Sequence, residues 1–221
     1  MTEGHAPLNL TQRVEQRLRS PVHPSVSAFA AKLAQDAGAE AALFYGSNLR
    51  TGALDGVLDF YLLMPGAQQE RIWPRVGYHE WNHDGVQLRA KVAVMASGMF
   101  HSAASGILRD TTIWTRFVQP SALVWAAGPQ VQQTVAQSIV AAAVTAGRLA
   151  AALGSIRGTE DEFWRALFQA TYKAEFRVEK AGRENSILAL NCEHFDGLLP
   201  AILHHAGLEF ALEGAIIIPA L

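Results

Sequence analysis

Apolar and polar positions alternate most regularly between Val86 and Val94, and this period of two predicts a β-strand with two unlike faces. Asp84-Gly85 directly before it is a hairpin signal, so a partner strand is predicted over Arg75–Trp81. Two short apolar runs, Ala41–Tyr45 and Val57–Met64, predict further strands. The first half of the chain is therefore predicted to be mixed α/β.

Helical patterns occupy the remaining apolar segments. Pro24-Ser25 predicts the start of a helix that stops at Gly38. Three later segments lack strand alternation and are predicted to be helices: Gln130–Leu153, Thr159–Lys180 and Ser186–His205. We expect an α+β protein with an α/β domain and mixed sheet over residues 1–128, followed by a helical domain over 129–221.

Composition narrows the class of protein. The chain has 221 residues, half of them apolar, and a net charge of −2, so we expect a sizeable core, no disorder and no general attraction to nucleic acid. Cys192 is the single cysteine, which excludes an intrachain disulfide and a multi-thiolate zinc site. Residues 1–20 lack an apolar leader, and the alanine-rich stretch Val135–Leu153 is interrupted by polar residues. We expect a cytoplasmic protein and leave contact with a membrane surface open.

The strongest candidate chemistry lies where one predicted strand ends and the next begins. Gly46-Ser47 follows the strand ending at Tyr45, and Asp59 stands in the next apolar run, where a charge is costly unless it is paired or metal-bound. Glycine lets backbone amides approach a triphosphate, the serine hydroxyl bonds a phosphate oxygen, and the aspartate holds Mg²⁺. A plain turn and a solvent-facing aspartate are the alternatives.

The other charges near this motif fit it incompletely. Two-metal sites use two aspartates two residues apart, but Tyr61 stands where the second is expected. Asp55 would lie about 13 Å from Asp59 on an extended strand, so it joins a metal site only if the intervening loop bends back. Arg89 and Lys91 on the hairpin strand suit phosphate binding, or else form a solvated strand face.

These motifs, taken in order, resemble the mitochondrial-type phosphatidate cytidylyltransferases, also called the translocator assembly and maintenance family. The resemblance covers roughly residues 41–205. It rests on Tyr45-Gly46-Ser47, Leu58-Asp59-Phe60, Lys91-Val92-Ala93-Val94, Asp110 to Trp114 with Arg116, Tyr172 to Arg177, Arg183-Glu184-Asn185, and the apolar stretch from Ile187 to Leu203. Gln119 before Pro120 replaces a lysine that the family carries there.

The resemblance implies a nucleotidyltransferase that moves CMP from CTP to phosphatidic acid, giving CDP-diacylglycerol and pyrophosphate. It also implies a nucleotidyltransferase-like fold for the domain over residues 1–128. Mg²⁺ is the implied cofactor, with Asp59 as its carboxylate ligand and Lys91 as a second catalytic residue. The spacing argument above adds Asp55 as a further catalytic and metal-binding candidate, provided that its loop bends back. The nucleotide-binding residues are then Tyr45, Gly46, Ser47, Arg116 and Arg177. A lipid acceptor implies peripheral membrane contact, for which residues 198–203 and 215–221 are candidates. Both segments suit equally a core position or a contact in a homodimer.

Two other functions remain open on the same residues. The absent lysine at position 119 fits nucleotidyl transfer to a small soluble acceptor. The absent second aspartate fits an inactive relative of the fold that binds a nucleotide or a protein partner. Metal-dependent turnover separates the enzymes from the inactive relative, and the acceptor separates the two enzymes.

Overall fold

The computed structural model describes residues 8–174 and 183–220 and has a mixed α+β fold, as the sequence predicts. Its helices are α1 (Leu10–Leu18), α2 (Pro24–Ala37), α3 (Ser47–Thr51), α4 (Ser97–Ala104), α5 (Thr112–Phe117), α6 (Pro129–Leu153), α7 (Glu160–Ala174), α8 (Arg183–Leu190), α9 (Cys192–Phe195) and α10 (Leu198–His205). Its strands are β1 (Ala41–Tyr45), β2 (Leu58–Met64), β3 (Arg75–His83), β4 (Val86–Ala96), β5 (Ser121–Ala126), β6 (Gly158–Thr159), β7 (Phe210–Glu213) and β8 (Ile216–Pro219).

Contacts along the chain define two compact units. The sheet unit comprises residues 15–103 and 120–138. The helical unit comprises, within the described residues, 8–14, 104–119, 139–174 and 183–220. The division at residues 128–129 remains a prediction about domains, and it coincides with the first residue of α6.

The sheet unit is built on a five-stranded mixed sheet with the order β3-β4-β2-β1-β5. The β2–β4 pair is parallel, and the other three pairs are antiparallel. Helix α2 packs on one face, where Phe29 meets Phe60 edge-on at 6.1 Å between ring centroids. Both rings are almost fully buried and belong to a cluster of buried apolar residues between α2 and the sheet.

Local signals determine where α2 begins and ends. Pro24 occupies the first turn, and His23 Nδ1 accepts a hydrogen bond from the Ser25 amide at 3.2 Å. Gly38 ends the helix in the left-handed conformation at φ +67°, and its amide donates to the last carbonyls of the helix. The predicted helix from Pro24 to Gly38 is confirmed at both ends.

The hairpin prediction is also confirmed. Strands β3 and β4 pair in register around Asp84 and Gly85, whose φ angles are +50° and +78°. Two successive positive φ values are what a two-residue hairpin turn of matching twist requires, and Asp-Gly is a favoured pair there. Because β4 pairs with β2 on its other side, β3 is the outer strand of the sheet.

The helical unit differs from its predicted form in two places. The segment 186–205, predicted as one helix, is divided into α8, α9 and α10, because Asn191 and Gly197 leave helical geometry, Gly197 at φ +68°. The unit also contains a three-stranded antiparallel sheet of order β6-β8-β7, which the sequence analysis did not predict. Its hairpin turns at Gly214 with φ +63°.

Local hydrogen bonds and burial characterise two helices of this unit. Glu162 Oε2 accepts hydrogen bonds from the Thr159 amide at 2.7 Å and from its hydroxyl at 3.0 Å, which caps α7. Segment 198–203 was a candidate for membrane contact, for the core or for a homodimer contact. Its four leucine and isoleucine side chains are at most 3% exposed: Leu198, Leu199, Ile202 and Leu203. That segment is core rather than a lipid-contacting surface.

Helix α6 is the one helix of the described ranges that is long and apolar enough to cross a membrane by length and composition, and half of its most apolar window is buried. Gly147 lies against Ile202 of α10: a Cβ on this glycine would come to 2.4 Å from Ile202 Cγ2. Such close packing is typical of an interior helix.

Candidate functional site

Five polar side chains form one row across the five-stranded sheet. The register pairs Tyr78 with Lys91, Lys91 with Asp59, Asp59 with Tyr45, and Tyr45 with Ser121. Directly paired residues project from the same face of a sheet, and this face is the one opposite α2. The row therefore brings together three of the predicted site residues, Tyr45, Asp59 and Lys91.

The row lies where this face changes from buried to open. The neighbouring row on the same face contains Ala93, Tyr61 and Leu43, all of which are at most 4% exposed. In the polar row, Asp59 and Lys91 are partly exposed, and Tyr78 is 74% exposed. A ligand can therefore reach Asp59 and Lys91 from solvent while the apolar row behind them holds the strands in place.

Gly46 lies against the Asp59 carboxylate. A Cβ built on Gly46 would come to 2.9 Å from Asp59 Oδ2, closer than real Cβ contacts come. Gly46 has φ +89° and precedes α3, which begins at Ser47. Two independent features therefore require glycine at position 46: the positive φ and the close approach to Asp59.

Lys91 faces Asp59 across two parallel strands, yet the two do not form an ion pair. Adjacent strands are separated by about 4.8 Å, so the two side chains start side by side. Within the part of the chain that the structure describes, no carboxylate oxygen lies within 4.0 Å of Lys91 Nζ. The ammonium group of Lys91 is thus available to an anionic ligand that also reaches Asp59.

The loop that carries Asp55 is bent rather than extended. Asn48 on α3 donates through Nδ2 to the carbonyl of Ala53 at 3.1 Å and to that of Asp55 at 2.8 Å. These two hydrogen bonds hold the loop before β2 against α3. The Asp55 side chain is exposed, and its role as a metal ligand stays a prediction.

The remaining predicted residues are distributed more widely. Ser47 is exposed, and its hydroxyl lies 3.3 Å from Asn48 Oδ1. Arg116 lies on α5 in the helical unit and is partly exposed. Arg177 lies outside the described residues. The assignments of Ser47, Arg116 and Arg177 to nucleotide binding stay predictions.

Two contributors to this region were missed by the sequence analysis. Asn48 directly follows Gly46-Ser47, and an asparagine there is a common side-chain partner for turn carbonyls, so a local signal was present. Tyr78 enters the row only because β3 pairs with β4 in the register set by the hairpin turn. The parallel β2–β4 pairing, which brings Lys91 beside Asp59, has no local signal.

The residues around Asp59 fit a magnesium site in which the protein supplies a single carboxylate ligand. Among the described residues, no group of three or more His, Cys, Asp or Glu side chains is placed to hold a metal. Mg²⁺ in nucleotide sites commonly takes one or two carboxylates and completes its shell with water and substrate phosphates. Asp59, partly exposed with Gly46 against it and with Lys91 beside it, suits that arrangement.

A separate cavity of about 420 Å³ lies within the sheet unit, at the outer edge of β5. It is lined by the end of α1, by β5 and by the start of α6, with Trp125, Gln132 and Gln133 among the lining residues. Neither Asp59 nor Lys91 lines it, so it is distinct from the polar row.

Comparison with known proteins finds no protein-family model that matches this chain and no curated protein with significant similarity to it.

Proposed function

We propose that this protein is a nucleotidyltransferase whose site is centred on Asp59. The observation that carries the proposal is the alignment of Tyr45, Asp59 and Lys91 in one row, with Gly46 packed on the Asp59 carboxylate. A strand that ends in Gly-Ser beside an antiparallel strand that begins with aspartate puts a phosphate-binding turn next to a metal-binding carboxylate.

Each residue has a role that follows from its place. Gly46 gives a phosphate chain access to the backbone amides that follow it, and the exposed Ser47 hydroxyl supplies a further donor. Lys91 brings a positive charge to the same face as Asp59, which offsets the charge of the phosphates. Tyr45, partly exposed between Asp59 and Ser121, provides an aromatic wall for the bound nucleotide.

Asp59, with Asp55 as the second candidate, would hold Mg²⁺, which when bound neutralises charge on the triphosphate and on the leaving pyrophosphate. The contribution of the chain itself is positioning. The turn at Gly46 and the ammonium of Lys91 approach a phosphate group from β1 and β4, the two strands that flank β2, which fixes its orientation relative to Asp59.

The proposal also specifies the acceptor substrate and the nucleobase of the donor. We propose CTP as donor and phosphatidic acid as acceptor, on the strength of the family resemblance in motif order. The open polar row supports an acceptor that carries its own phosphate, because Lys91 and Arg89 both lie on this face of β4 and Arg89 is exposed.

The test is pyrophosphate release with Mg²⁺ and each of the four ribonucleoside triphosphates, with and without phosphatidic acid in mixed micelles. Release that requires both CTP and the lipid supports the whole proposal. Release with glycerol 3-phosphate in place of the lipid would support nucleotidyl transfer but replace the acceptor with a soluble one. An absence of release and of nucleotide binding by titration would contradict the proposal.

A further inference from the structure

The cavity beside β5 follows the backbone edge of that strand. Its lining includes four consecutive residues of β5, numbers 123–126. Because successive side chains of a strand project to opposite faces of the sheet, a cavity that contacts all four must run along the edge rather than over one face. Four residues of extended chain are about 13 Å long. We call this cavity of about 420 Å³ the β5 trough.

Helix faces bound the rest of the β5 trough. The helical lining residues are spaced three or four apart, so each helix presents a single face to the trough. They are Glu15, Leu18 and Arg19 at the end of α1 and just after it, and Gln132, Gln133 and Ala136 at the start of α6. The trough is thus an elongated space between a strand edge and two helices, all within the sheet unit.

The strand edge in the trough has hydrogen-bonding groups to offer. β5 is the last strand of the sheet and pairs with β1 alone, and in the part of the chain that the structure describes its backbone makes no hydrogen bond to any other element. Alternate residues of such a strand direct their N–H and C=O groups outward. The register with β1 shifts at Val124, a bulge of the kind found at sheet edges and beside active sites.

The two edges of the sheet differ in their protection against added strands. Charged side chains and proline are the usual protection. The sequence of β5, Ser-Ala-Leu-Val-Trp-Ala, contains neither, whereas β3 at the opposite edge carries Arg75 and Glu80 together with two histidines. The edge that lines the trough is therefore the one that can accept a further strand.

The lining also determines the polarity of a ligand. Its only charged side chains, Glu15 and Arg19, form an ion pair with each other at 3.3 Å, so the trough has no net charge. Gln132 and Gln133 are exposed, and their side-chain amides have no hydrogen-bond partner among the described residues. Trp125 supplies a partly exposed aromatic surface. An uncharged ligand with both donors and acceptors is complementary to this lining.

We infer that the β5 trough binds an uncharged, extended peptide segment of a partner protein as a sixth strand of the sheet. A peptide backbone repeats its donors and acceptors at the spacing of the β5 edge and can pair along the whole length of the trough. Pairing with β5 of a second copy would bring the α1 and α6 ends of both copies into the same space. A single extended chain avoids that overlap.

The test titrates the full chain with a set of blocked tetrapeptides composed of alanine, valine, threonine, glutamine and phenylalanine. We expect at least one to bind and to slow hydrogen exchange of backbone amides within residues 123–126. Two N-methylated forms of the best binder then keep its side chains but block one or the other alternate set of amides. Methylation of the set that faces β5 should weaken binding on the order of tenfold or more, and methylation of the other set should not.

Variants of the chain locate the binding. Ala136→Leu places a larger side chain in the trough, so it should remove binding while the urea unfolding midpoint is kept. Gln133→Ala should weaken binding about fivefold through loss of a side-chain hydrogen bond. Gln137→Ala is the matched control, because Gln137 is exposed on the same helix but does not line the trough. It should bind like the unmodified chain.

Four results would overturn the inference. They are the absence of binding by every peptide of the set, equal binding of both N-methylated forms, unchanged binding by Ala136→Leu, and a dimer in solution that Ala136→Leu dissociates, which would make a second copy the occupant. The inference does not depend on nucleotidyl transfer, since neither Asp59 nor Lys91 lines the trough. Peptide binding by a chain that releases no pyrophosphate would leave it in place.

Discussion

The backbone of Gly46 lies so close to Asp59 that a single added methyl group would come to 2.9 Å from the carboxylate oxygen Oδ2. This contact places the turn after β1 against the second residue of β2. It sets the distance between a phosphate chain bound at the turn and the carboxylate. The contact can be tested through the glycine as well as through the acid.

Gly46→Ala should destabilise the protein and abolish turnover. At φ +89° and ψ −163°, Gly46 has a backbone conformation essentially restricted to glycine, which costs an L-residue about 1–3 kcal/mol, and the overlap with Asp59 adds a cost of about 1–3 kcal/mol. Gly56→Ala is the control, because Gly56 has the same φ of +89° but its nearest atom, Asn48 Nδ2, lies 4.0 Å from an added Cβ. Urea unfolding should show a larger loss for Gly46→Ala, and equal losses would contradict the close approach.

Lys91→Met should weaken turnover while preserving the fold, because the side chain is partly exposed and no carboxylate is left unpaired by its loss. Loss of one phosphate-binding cation is expected to lower kcat/KM on the order of 10²-fold. The control is Lys32→Met, which removes a surface lysine whose partner is Asp36 at 2.6 Å. Steady-state pyrophosphate release should fall only in the first variant.

Two acids at the start of α7 should give opposite contributions to stability as pH changes. Burial raises the pKa of Glu160 above its ordinary value of 4.5, even though the Leu199 and Gly197 amides and the Trp164 indole donate hydrogen bonds to it. Hydrogen bonds from Thr159 hold the pKa of Glu162 below 4.5. Each shift changes the number of protons that folding takes up or releases.

The signs follow from which state holds the proton more tightly. For Glu160 the folded state does, so its stabilising contribution is full below pH 4.5 and is lost as pH rises through the folded pKa. For Glu162 the contribution is full above pH 4.5 and is lost as pH falls. Unfolding free energies should be measured between about pH 3 and pH 7. In Glu160→Gln the decrease in stability with rising pH should be lost. In Glu162→Gln the decrease in stability with falling pH should be lost. Parallel curves for all three proteins would contradict this assignment.

Gly147→Ala should destabilise the helical unit by about 1–3 kcal/mol, because the added Cβ would come to 2.4 Å from Ile202 Cγ2. Gly98→Ala on α4 is the control: nothing lies within 4 Å there, so the helix should be unchanged or slightly stabilised. Truncating the partner (Ile202→Ala) removes Cγ2, so the double variant should lose less stability than the sum of the two single variants. Additive losses measured by urea unfolding would contradict direct contact between α6 and α10.

Local chemistry in the sequence predicted the elements whose ends it determines. The helix from Pro24 to Gly38 and the hairpin at Asp84-Gly85 follow from proline, glycine and period-two signals. The two strands on either side of Gly46 follow from short apolar runs. The sequence missed the short strands β6 to β8, which have only two to four residues each and obtain their stability from pairing.

The site was predicted only as far as its local motif. Gly46, Ser47 and Asp59 were identified because they interrupt apolar runs. The partnership of Asp59 with Lys91 depends on a parallel pairing between strands separated by β3, and no local pattern specifies such a pairing. The absence of Asp at position 61 is explained by the fold, since Tyr61 is fully buried and its ring lies 5.9 Å from that of Tyr45 and 6.1 Å from that of Phe100.

The most direct test of the central claim is pyrophosphate release by Asp59→Asn compared with Asp84→Asn. Asp84 occupies the exposed hairpin turn at φ +50°, a conformation that asparagine tolerates well, so its variant controls for the loss of one carboxylate. We predict that Asp59→Asn keeps the unfolding midpoint and loses Mg²⁺-dependent release on the order of 10²–10³-fold, while Asp84→Asn is unchanged. Full activity in a folded Asp59→Asn variant would contradict a nucleotidyltransferase site centred on Asp59.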